Sequence, residues 1–200
     1  MSEYVEPDWA LITVVFVDIR GFTTFADRAT AREAGEYLRA FFDVVVPVVQ
    51  EHRGEVNQLL GDGLLAVFRT PDHADRALAA GSAIISAVRA SFGDRCRIGV
   101  GMNSGLVLVG TIGGGGLAKF GVVGDPVNVA ARVQDATRDL GEPLLLTEAT
   151  HMLLEGEHAG LEPRGTLALR GKARPVAVYG LAVTNSGRHA RRTSSDVGPH

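Results

Sequence analysis

Two aspartates in this chain lie at positions that suit either metal ligands or ordinary turn residues. Asp18 follows the β-branched, almost continuously apolar run 11–17, which is typical of a central strand buried on both faces. Asp62 lies between two glycines, where strands predicted at 55–60 and 64–69 meet in a tight hairpin. Carboxylates at adjacent strand ends suit Mg²⁺ or Mn²⁺, which prefer oxygen ligands. Asp-Gly is also a favoured hairpin turn, so Asp62 alone has a purely structural explanation.

The segment after Asp18 has the composition of an anion-binding turn. It continues as Ile19-Arg20-Gly21-Phe22-Thr23. Gly21 allows the chain to turn closely, and the exposed backbone amides of such a turn can cradle phosphate groups.

Three further polar side chains are candidates with equally ordinary alternatives. Asn128 and Arg132 are four residues apart on a predicted helix, so both project to one side, where a solvated surface pair is the alternative. Lys172 lies within Arg170-Gly171-Lys172-Ala173-Arg174-Pro175 and by itself is a turn lysine.

The elements that must position these residues follow from periodicity and turn signals. Helical spacing of apolar residues predicts amphipathic helices over 32–52 and 71–92. Gly124-Asp125-Pro126 predicts a helix start, with Asp125 as cap, and a helix to about residue 140. A short helix is expected over 147–154, and the remaining strands are predicted at 97–103, 106–111, 120–123, 144–146, 161–170 and 176–181, with a glycine loop at 113–116.

This order of elements contains a split βαβ unit. It predicts a ferredoxin-like α/β fold of the α+β sandwich type, with a mainly antiparallel sheet that brings Asp18 close to Asp62. We divide the chain into an N-terminal extension (1–8), one domain (9–183) and a polar, basic tail (184–200) without periodicity, expected to be disordered.

Composition limits the classes of partner. The net charge of -3 gives no general attraction to nucleic acid or anionic lipid. Cys96 is the single cysteine and the six histidines are scattered, so the sequence predicts neither a disulfide nor a zinc site. No apolar run reaches membrane-spanning length. We therefore expect a cytoplasmic location and no nucleic-acid partner.

Three segments together carry a family resemblance. They are Phe16-Val17-Asp18-Ile19-Arg20-Gly21-Phe22-Thr23, Gly61-Asp62-Gly63-Leu64-Leu65-Ala66-Val67-Phe68 and Gly124-Asp125-Pro126-Val127-Asn128-Val129-Ala130-Ala131-Arg132. Their order, spacing and residue types resemble the catalytic domain of class III adenylyl and guanylyl cyclases over about Trp9 to Val183. The resemblance implies a homodimer with two active sites at the subunit interface, each using two Mg²⁺ or Mn²⁺ ions.

The resemblance also implies residue roles. Asp18 and Asp62 match the metal-binding aspartates, with the Ile19 carbonyl as a further ligand. Amides around Gly21, Phe22 and Thr23 match the triphosphate-binding turn. From the partner subunit, Asn128 matches the ribose-positioning residue, Arg132 matches the arginine that stabilises the transition state, and Lys172 matches a lysine that reaches the terminal phosphates.

The purine-reading positions depart from the family pattern. Adenylyl cyclases usually carry lysine with aspartate or threonine there, and guanylyl cyclases carry glutamate with cysteine or a similar small residue. This chain has Gln58 and Gly121. A glutamine amide offers both donors and an acceptor, so it suits adenine or guanine. Glycine offers no side chain, which leaves backbone groups near Val122 or a water as substitutes, and discrimination should weaken. Alternatively, Gln58 merely ends a strand.

The sequence thus predicts a cyclase that converts ATP, favoured over GTP, to a 3′,5′-cyclic nucleotide and pyrophosphate. ATP is favoured because adenylyl cyclases dominate bacterial-looking members of the family. The alternatives are a guanylyl or dual-specificity cyclase, or a weakly active, nucleotide-binding regulatory module. A phosphodiester-forming enzyme on a palm-like sheet is disfavoured, because it would not require the pair Asn128 and Arg132.

Overall fold

The computed structural model describes residues 5–69, 71–114, 117–155, 158, 160–169, 172 and 174–181. These residues form eight strands and five α-helices. The strands are β1 (Asp8–Ile19), β2 (Glu55–Leu60), β3 (Gly63–Phe68), β4 (Ile98–Gly114), β5 (Leu117–Val123), β6 (Leu144–Thr147), β7 (Leu161–Leu167) and β8 (Val176–Leu181). The helices are α1 (Phe22–Ala26), α2 (Ala31–Glu51), α3 (His73–Phe92), α4 (Asp125–Asp139) and α5 (Glu148–His151).

All eight strands belong to one sheet. Its order is β2-β3-β1-β4-β6-β8-β7, and β5 pairs with β4 outside this path. Neighbouring strands are antiparallel, except that β4 and β6 run parallel. The prediction of an α+β sandwich with a mainly antiparallel sheet is therefore confirmed.

Alternate residues of β1 supply two hydrophobic layers. Val15 and Val17 pack in the layer shared with α2 and α3, whereas Ile12 and Val14 pack in the layer on the α4 side. Burial on both faces explains why this central strand is apolar almost throughout. The helices fix its position from both sides, and the site residues lie at its carboxyl end.

Several strand predictions were wrong in extent. β5 begins at Leu117 rather than at residue 120, and β7 ends at Leu167 rather than at residue 170. β1 begins at Asp8 rather than Leu11 and includes Asp18, and the segments predicted as separate strands before and after residue 105 form the single strand β4. The reason is the partner strand: Thr13 and Ile12 pair with Ser104 and Gly105, so the ladder continues through a glycine that the sequence marks as a break.

The prediction that Asp125 caps α4 was also wrong. Gly124 is the capping residue, with no side-chain cap hydrogen bond, and Asp125 is the first residue of the helix. Its carboxylate forms an ion pair with the Lys172 ammonium group. Pro126 lies in the first turn as predicted, where its missing N–H costs no hydrogen bond.

The remaining predictions concern the tail, the glycine loop, the domain limits, the short helix α5 and membrane spans. The tail from residue 184 and glycines 115 and 116 lie outside the described residues, and the domain limits at 9 and 183 stay predictions. The helix predicted over 147–154 is shorter, because Thr147 ends β6 and caps α5. No helix in the described part of the chain is long and apolar enough to cross a membrane.

Candidate active site

The two aspartates meet at one end of the sheet. Asp18 pairs with Gly63 in the β1–β3 register, which places it beside the β2–β3 turn that carries Asp62. Both residues line an open pocket of about 740 Å³. The other lining residues are Ile19, Arg20, Gly21, Phe22, Thr23, Thr24, Arg97, Arg138 and Gly141. The structure therefore brings together the two aspartates and the turn that the sequence singled out.

Gly63 is required by the position of the Asp18 carboxylate. A Cβ atom built on Gly63 would lie 2.5 Å from the Val17 carbonyl oxygen and 2.8 Å from Asp18 Oδ1. Any side chain at this position would have to displace the carboxylate or the strand. The Gly-Asp-Gly sequence thus has a steric function in addition to forming the turn.

Burial and charge make the Asp18 carboxylate hard to ionise. Burial, followed by the nearby charge of Asp62, raises the pKa of Asp18 to about 6, although the Arg138 guanidinium opposes the shift. A second positive charge close to both carboxylates would reverse this effect. Two carboxylates held in this way favour the binding of a cation.

The donor set fits a hard divalent cation. Among the described residues, no three His, Cys, Asp or Glu side chains form a metal cluster. Mg²⁺ commonly binds one or two carboxylates and completes its shell with water and substrate phosphates. Two aspartates fit this coordination. The Ile19 side chain is a hydrocarbon without a donor atom, so its backbone carbonyl is the group that can serve as the additional ligand that the resemblance implies.

The turn after β1 presents backbone amides rather than side chains. Gly21 has a left-handed backbone, with φ of 77°, and precedes the five-residue helix α1. The first amides of a helix have no acceptor within it. The Phe22 ring contacts Tyr37, with ring centroids 6.2 Å apart. Gly21, Phe22 and Thr23 all line the pocket, so the N–H groups of this turn are available to a ligand there.

Three arginines give the pocket a positive side that the sequence reasoning missed. Arg20 is committed to the fold, because its guanidinium donates to the Thr137 and Glu142 carbonyl oxygens. Arg97 and Arg138 line the same pocket. Arg97 was detectable in principle: it directly precedes β4, whose start pairs with the end of β1. Arg138 was not, because only the packing of α4 brings its carboxyl end to this pocket.

Asn128 and Arg132 lie elsewhere on the chain. Asn128 is exposed and Arg132 is half-buried on α4. Arg132 lines a separate cleft of about 280 Å³ with Asp135, Ala136, Asp139, Leu167, Ala168 and Leu169. Lys172 is exposed and pairs with Asp125 at the start of the same helix. Within one chain, this second group of predicted residues is not assembled around the two aspartates.

The two positions predicted to read the purine, Gln58 and Gly121, lie on β2 and β5. Gln58 is half-buried and follows an irregularity in the β2–β3 register. Lys119 Nζ donates to Gln58 Oε1 at 3.5 Å, a long hydrogen bond. Lys119 was missed as well, although it is two residues before Gly121 on a strand and so shares its face.

Gly121 has open space where a side chain would stand. The nearest atom to a Cβ built there is Ile112 Cδ1, at 4.0 Å. Val122 is 8% exposed and belongs to the core on the α4 side, so only its backbone can reach a ligand. Nothing in the packing requires a glycine at 121.

Comparisons with known proteins agree on one family. The family model described as adenylate and guanylate cyclase catalytic domain matches residues 5–182. The uncharacterized protein Rv1320c of Mycobacterium tuberculosis is 36% identical over 170 residues, which cover 82% of this chain and 30% of that protein. The chain therefore spans about 30% of the length of this curated relative.

Solved structures give the same result for the fold. The guanylyl cyclase Cya2 superposes with a TM-score of 0.77 at 26% identity, covering 90% of this chain and 94% of that one. The adenylyl cyclase CyaB from P. aeruginosa superposes with a TM-score of 0.80 at 22% identity, covering 96% and 100%. The fold is thus similar both to a protein described as a guanylyl cyclase and to one described as an adenylyl cyclase.

Proposed function

Because this chain belongs to the family of adenylate and guanylate cyclase catalytic domains, we propose that it cyclises a purine nucleoside triphosphate at sites shared by two copies. The observation that carries this proposal is the pocket in which Asp18 and Asp62 lie beside an amide-rich turn and three arginines, of which Arg20 is held by backbone carbonyl groups. Negative ligands for cations and positive groups for phosphates meet there, which is what a metal-bound triphosphate requires.

Asp18, Asp62 and the Ile19 carbonyl are the groups that would hold two Mg²⁺ or Mn²⁺ ions. Bound there, such ions supply the charge that lowers the pKa of a ribose hydroxyl and neutralises a departing pyrophosphate. The amides of Gly21 to Thr23 and the Arg97 guanidinium bind the phosphate oxygens. Their fixed positions hold the α-phosphorus in line with the attacking oxygen, which removes much of the entropic cost of ring closure.

The reaction is an intramolecular displacement. The 3′-hydroxyl gives its proton to solvent water and its oxygen forms a bond to the α-phosphorus, while the bond from that phosphorus to the oxygen that bridges to the β-phosphate breaks and the electron pair leaves with pyrophosphate. The products are the 3′,5′-cyclic nucleotide and pyrophosphate. Arg132 places a fixed positive charge where negative charge accumulates, an effect worth about 3–4 kcal/mol in other enzymes.

The second copy is needed to complete each site. Asn128 and Arg132 line surfaces separate from the aspartate pocket within one chain, which supports the proposal that they act on a nucleotide held by the partner. Asn128 then orients the ribose, and Lys172, once released from Asp125, reaches the terminal phosphates. A C2 dimer provides two such sites, each with the two groups of residues from different chains.

For the base, we propose ATP as the preferred purine with GTP as a competing substrate. Lys119 and Gln58 together offer a cationic donor next to an amide oxygen, and adenine needs a donor for N1 and an acceptor for N6. Guanine presents the complementary order of groups, with O6 and N1–H. The open space at Gly121 favours weak discrimination, so dual specificity is the second candidate.

The deciding experiment measures cyclic nucleotide formation from ATP and from GTP, each with Mg²⁺ and with Mn²⁺. Asp62→Ala and Arg132→Ala should each be inactive alone. Co-refolded at equal amounts, they should recover roughly a quarter of wild-type activity, because half of the dimers then contain one intact site. Arg39→Ala, at an exposed arginine on α2, is the matched control and should retain full activity.

Two results would contradict the proposal in different ways. Mixed dimers that form but remain inactive would exclude the shared site. Nucleotide binding without cyclic product from the wild-type protein, under all four conditions, would point instead to the nucleotide-binding regulatory module.

A further inference from the structure

A network of buried hydrogen bonds links α3, on one face of the sheet, to α4, on the other face. All six residues in it are buried, the most exposed being His73 at 7%, and none belongs to the site described above. Its members, in spatial order, are His73, Thr13, Ser104, Thr150, Thr147 and Asn103. It ends at the Pro126 carbonyl oxygen, which accepts from Asn103 Nδ2 at 3.0 Å.

The hydroxyl groups of this network all donate in the direction of Asn103. Ser104 donates to Thr150 at 3.1 Å, so it must accept from Thr13 at 2.7 Å. The single hydroxyl hydrogen of Thr13 is then used, and Thr13 accepts from His73 Nδ1–H at 2.7 Å. Burial lowers the pKa of His73, in keeping with a neutral ring. Each group has a defined partner, as buried polar networks require.

The other end of the chain fixes the amide of Asn103. Thr147 caps α5 by accepting from the Thr150 N–H at 3.3 Å, and it donates its own hydrogen to Asn103 Oδ1 at 2.7 Å. The Pro126 carbonyl can only accept, so the Asn103 amide has one possible orientation. Asn103 therefore joins the end of β6 to the first turn of α4.

Asn103 also occupies a singular place on β4. Residues 99, 101, 103 and 105 share one strand face, and the other three are glycines. A Cβ on Gly101 would lie 2.2 Å from the Gln134 backbone nitrogen, and one on Gly105 would lie 2.5 Å from Pro126 Cγ. The glycines let α4 lie directly on the strand, and Asn103 is the one side chain of this row that holds the helix by a hydrogen bond.

We infer that Asn103, oriented by Thr147, is a positioning residue that sets the placement of α4 and thereby of Asn128 and Arg132. Pro126 is two residues before Asn128 in the same helix, so a shift of its turn moves both side chains toward or away from the partner's nucleotide. A misplacement of about 1 Å can cost about 100-fold in rate. This inference rests on the proposed function.

The expected effect is on turnover rather than on nucleotide affinity. Asn103→Asp keeps the acceptor for Thr147 but removes the donor to Pro126, and Thr147→Val removes the hydroxyl at nearly constant volume. We expect kcat to fall about 10- to 100-fold for the first and about 10-fold for the second, with KM nearly unchanged. Thr147→Ser retains the hydroxyl and should restore activity.

Ser104→Ala is the matched control, because it interrupts the same network on the α3 side. It should lower the melting temperature as much as Thr147→Val does, yet leave kcat unchanged. Equal loss of kcat in both variants would show that the network supports only the stability of the fold and would overturn the inference.

Mixed dimers separate positioning from general damage. In the pair of Asp62→Ala and Arg132→Ala chains, the one intact site takes Asn128 and Arg132 from the Asp62→Ala chain. Thr147→Val or Asn103→Asp placed in that chain should reduce the recovered activity, and placed in the Arg132→Ala chain should leave it unchanged. Equal loss in both placements, or loss in neither, refutes the inference. If the unmodified pair is inactive, the shared-site proposal fails first.

Discussion

Two regions of the candidate site differ in how firmly the core holds them. One is the end of the sheet that carries Asp18 and Asp62, and the other is the predicted purine-reading surface formed by Gln58, Lys119 and Gly121. The backbone of Asp18 pairs with a strand on each side of β1, and its side chain is half-buried. A side chain in place of Gly63 would collide with the Asp18 carboxylate. Gln58 and Gly121, by contrast, have one long hydrogen bond and an open space around them. Under the proposed function, phosphoryl transfer would depend on positions that the core dictates, and the choice of base would depend on positions that the core leaves free.

This difference has a physical consequence for substitution. A side chain fixed by the core cannot change without loss of stability or geometry, since packed interiors tolerate little added volume. A side chain on an open surface can change at almost no cost in folding. Base preference is therefore the property of this chain that single substitutions should alter most easily.

The largest expected effect comes from Asp18→Asn, which should abolish activity while stabilising the metal-free protein. The folded pKa of about 6 lies above the ordinary value of 3.8, so Asp18 favours folding when protonated and opposes it when charged. Asn imitates the protonated form. We expect a stability gain of at most about 2 kcal/mol at pH 8, discounted because the group is partly solvated.

The sign follows from linkage. The unfavourable contribution of Asp18 develops as pH rises from about 4 to above 6, so the advantage of Asn should shrink to nothing toward pH 4. Melting temperatures of both proteins in a chelator, from pH 4 to pH 8, measure this. A constant difference across that range would show that Asp18 is not the titrating group.

The second largest effect is expected from replacing one glycine by alanine in each of the two regions, which adds a single methyl group. Gly63→Ala should destabilise the fold by about 2 kcal/mol, because the methyl meets a backbone carbonyl, and should lower kcat about 10-fold or more by displacing Asp18. The methyl group of Gly121→Ala meets only Ile112 Cδ1, at an unstrained 4.0 Å, and should change stability by less than about 0.5 kcal/mol. Denaturant titration and turnover of both variants test the contrast, which equal effects would contradict.

The smallest effect is a change in base preference. Exchanging the pair, as Gln58→Lys with Lys119→Gln, keeps the net charge and moves the cationic donor to β2. We expect the ATP/GTP ratio of kcat/KM to rise about 10-fold, and further when Gly121→Asp is added. Lys119→Ala alone should lower the ATP/GTP ratio of kcat/KM by about threefold, because it removes one exposed hydrogen-bond donor. Unchanged ratios in all these variants would mean that Gln58 does not contact the base.

Much of the fold followed from the sequence because its patterns are local. Helical spacing predicted α2 and α3, and the Gly-Asp-Gly turn predicted the β2–β3 hairpin; both are confirmed. The length of β4 was not predictable, because the partner strand carries the ladder through Gly105. The predicted cap of α4 was wrong by one residue: the helix begins at Asp125 and Gly124 holds the capping position, while the Asp125 carboxylate pairs with Lys172.

For the site, the sequence singled out most of the chemical groups but not all of them. The family assignment is confirmed, while the individual roles of Asp18, Asp62, Asn128, Arg132 and Lys172 stay predictions. Arg97, Arg138 and Lys119 were missed, because a cationic side chain far away in sequence has no local signal of what it faces.

The sequence by itself determined the family, the sheet that carries the site, and the aspartates that meet at its end, since these depend on residue types at fixed spacings along β1 and the β2–β3 turn. Only the tertiary structure decided which residues share a pocket. Strand register placed Arg97 opposite Arg20, in the pocket that Asp18 also lines. Close packing over glycines laid α4 on β4, and the buried side chain of Asn103 joined that helix to the rest of the core. These are contacts between distant segments, and their geometry is set by packing rather than by any local pattern.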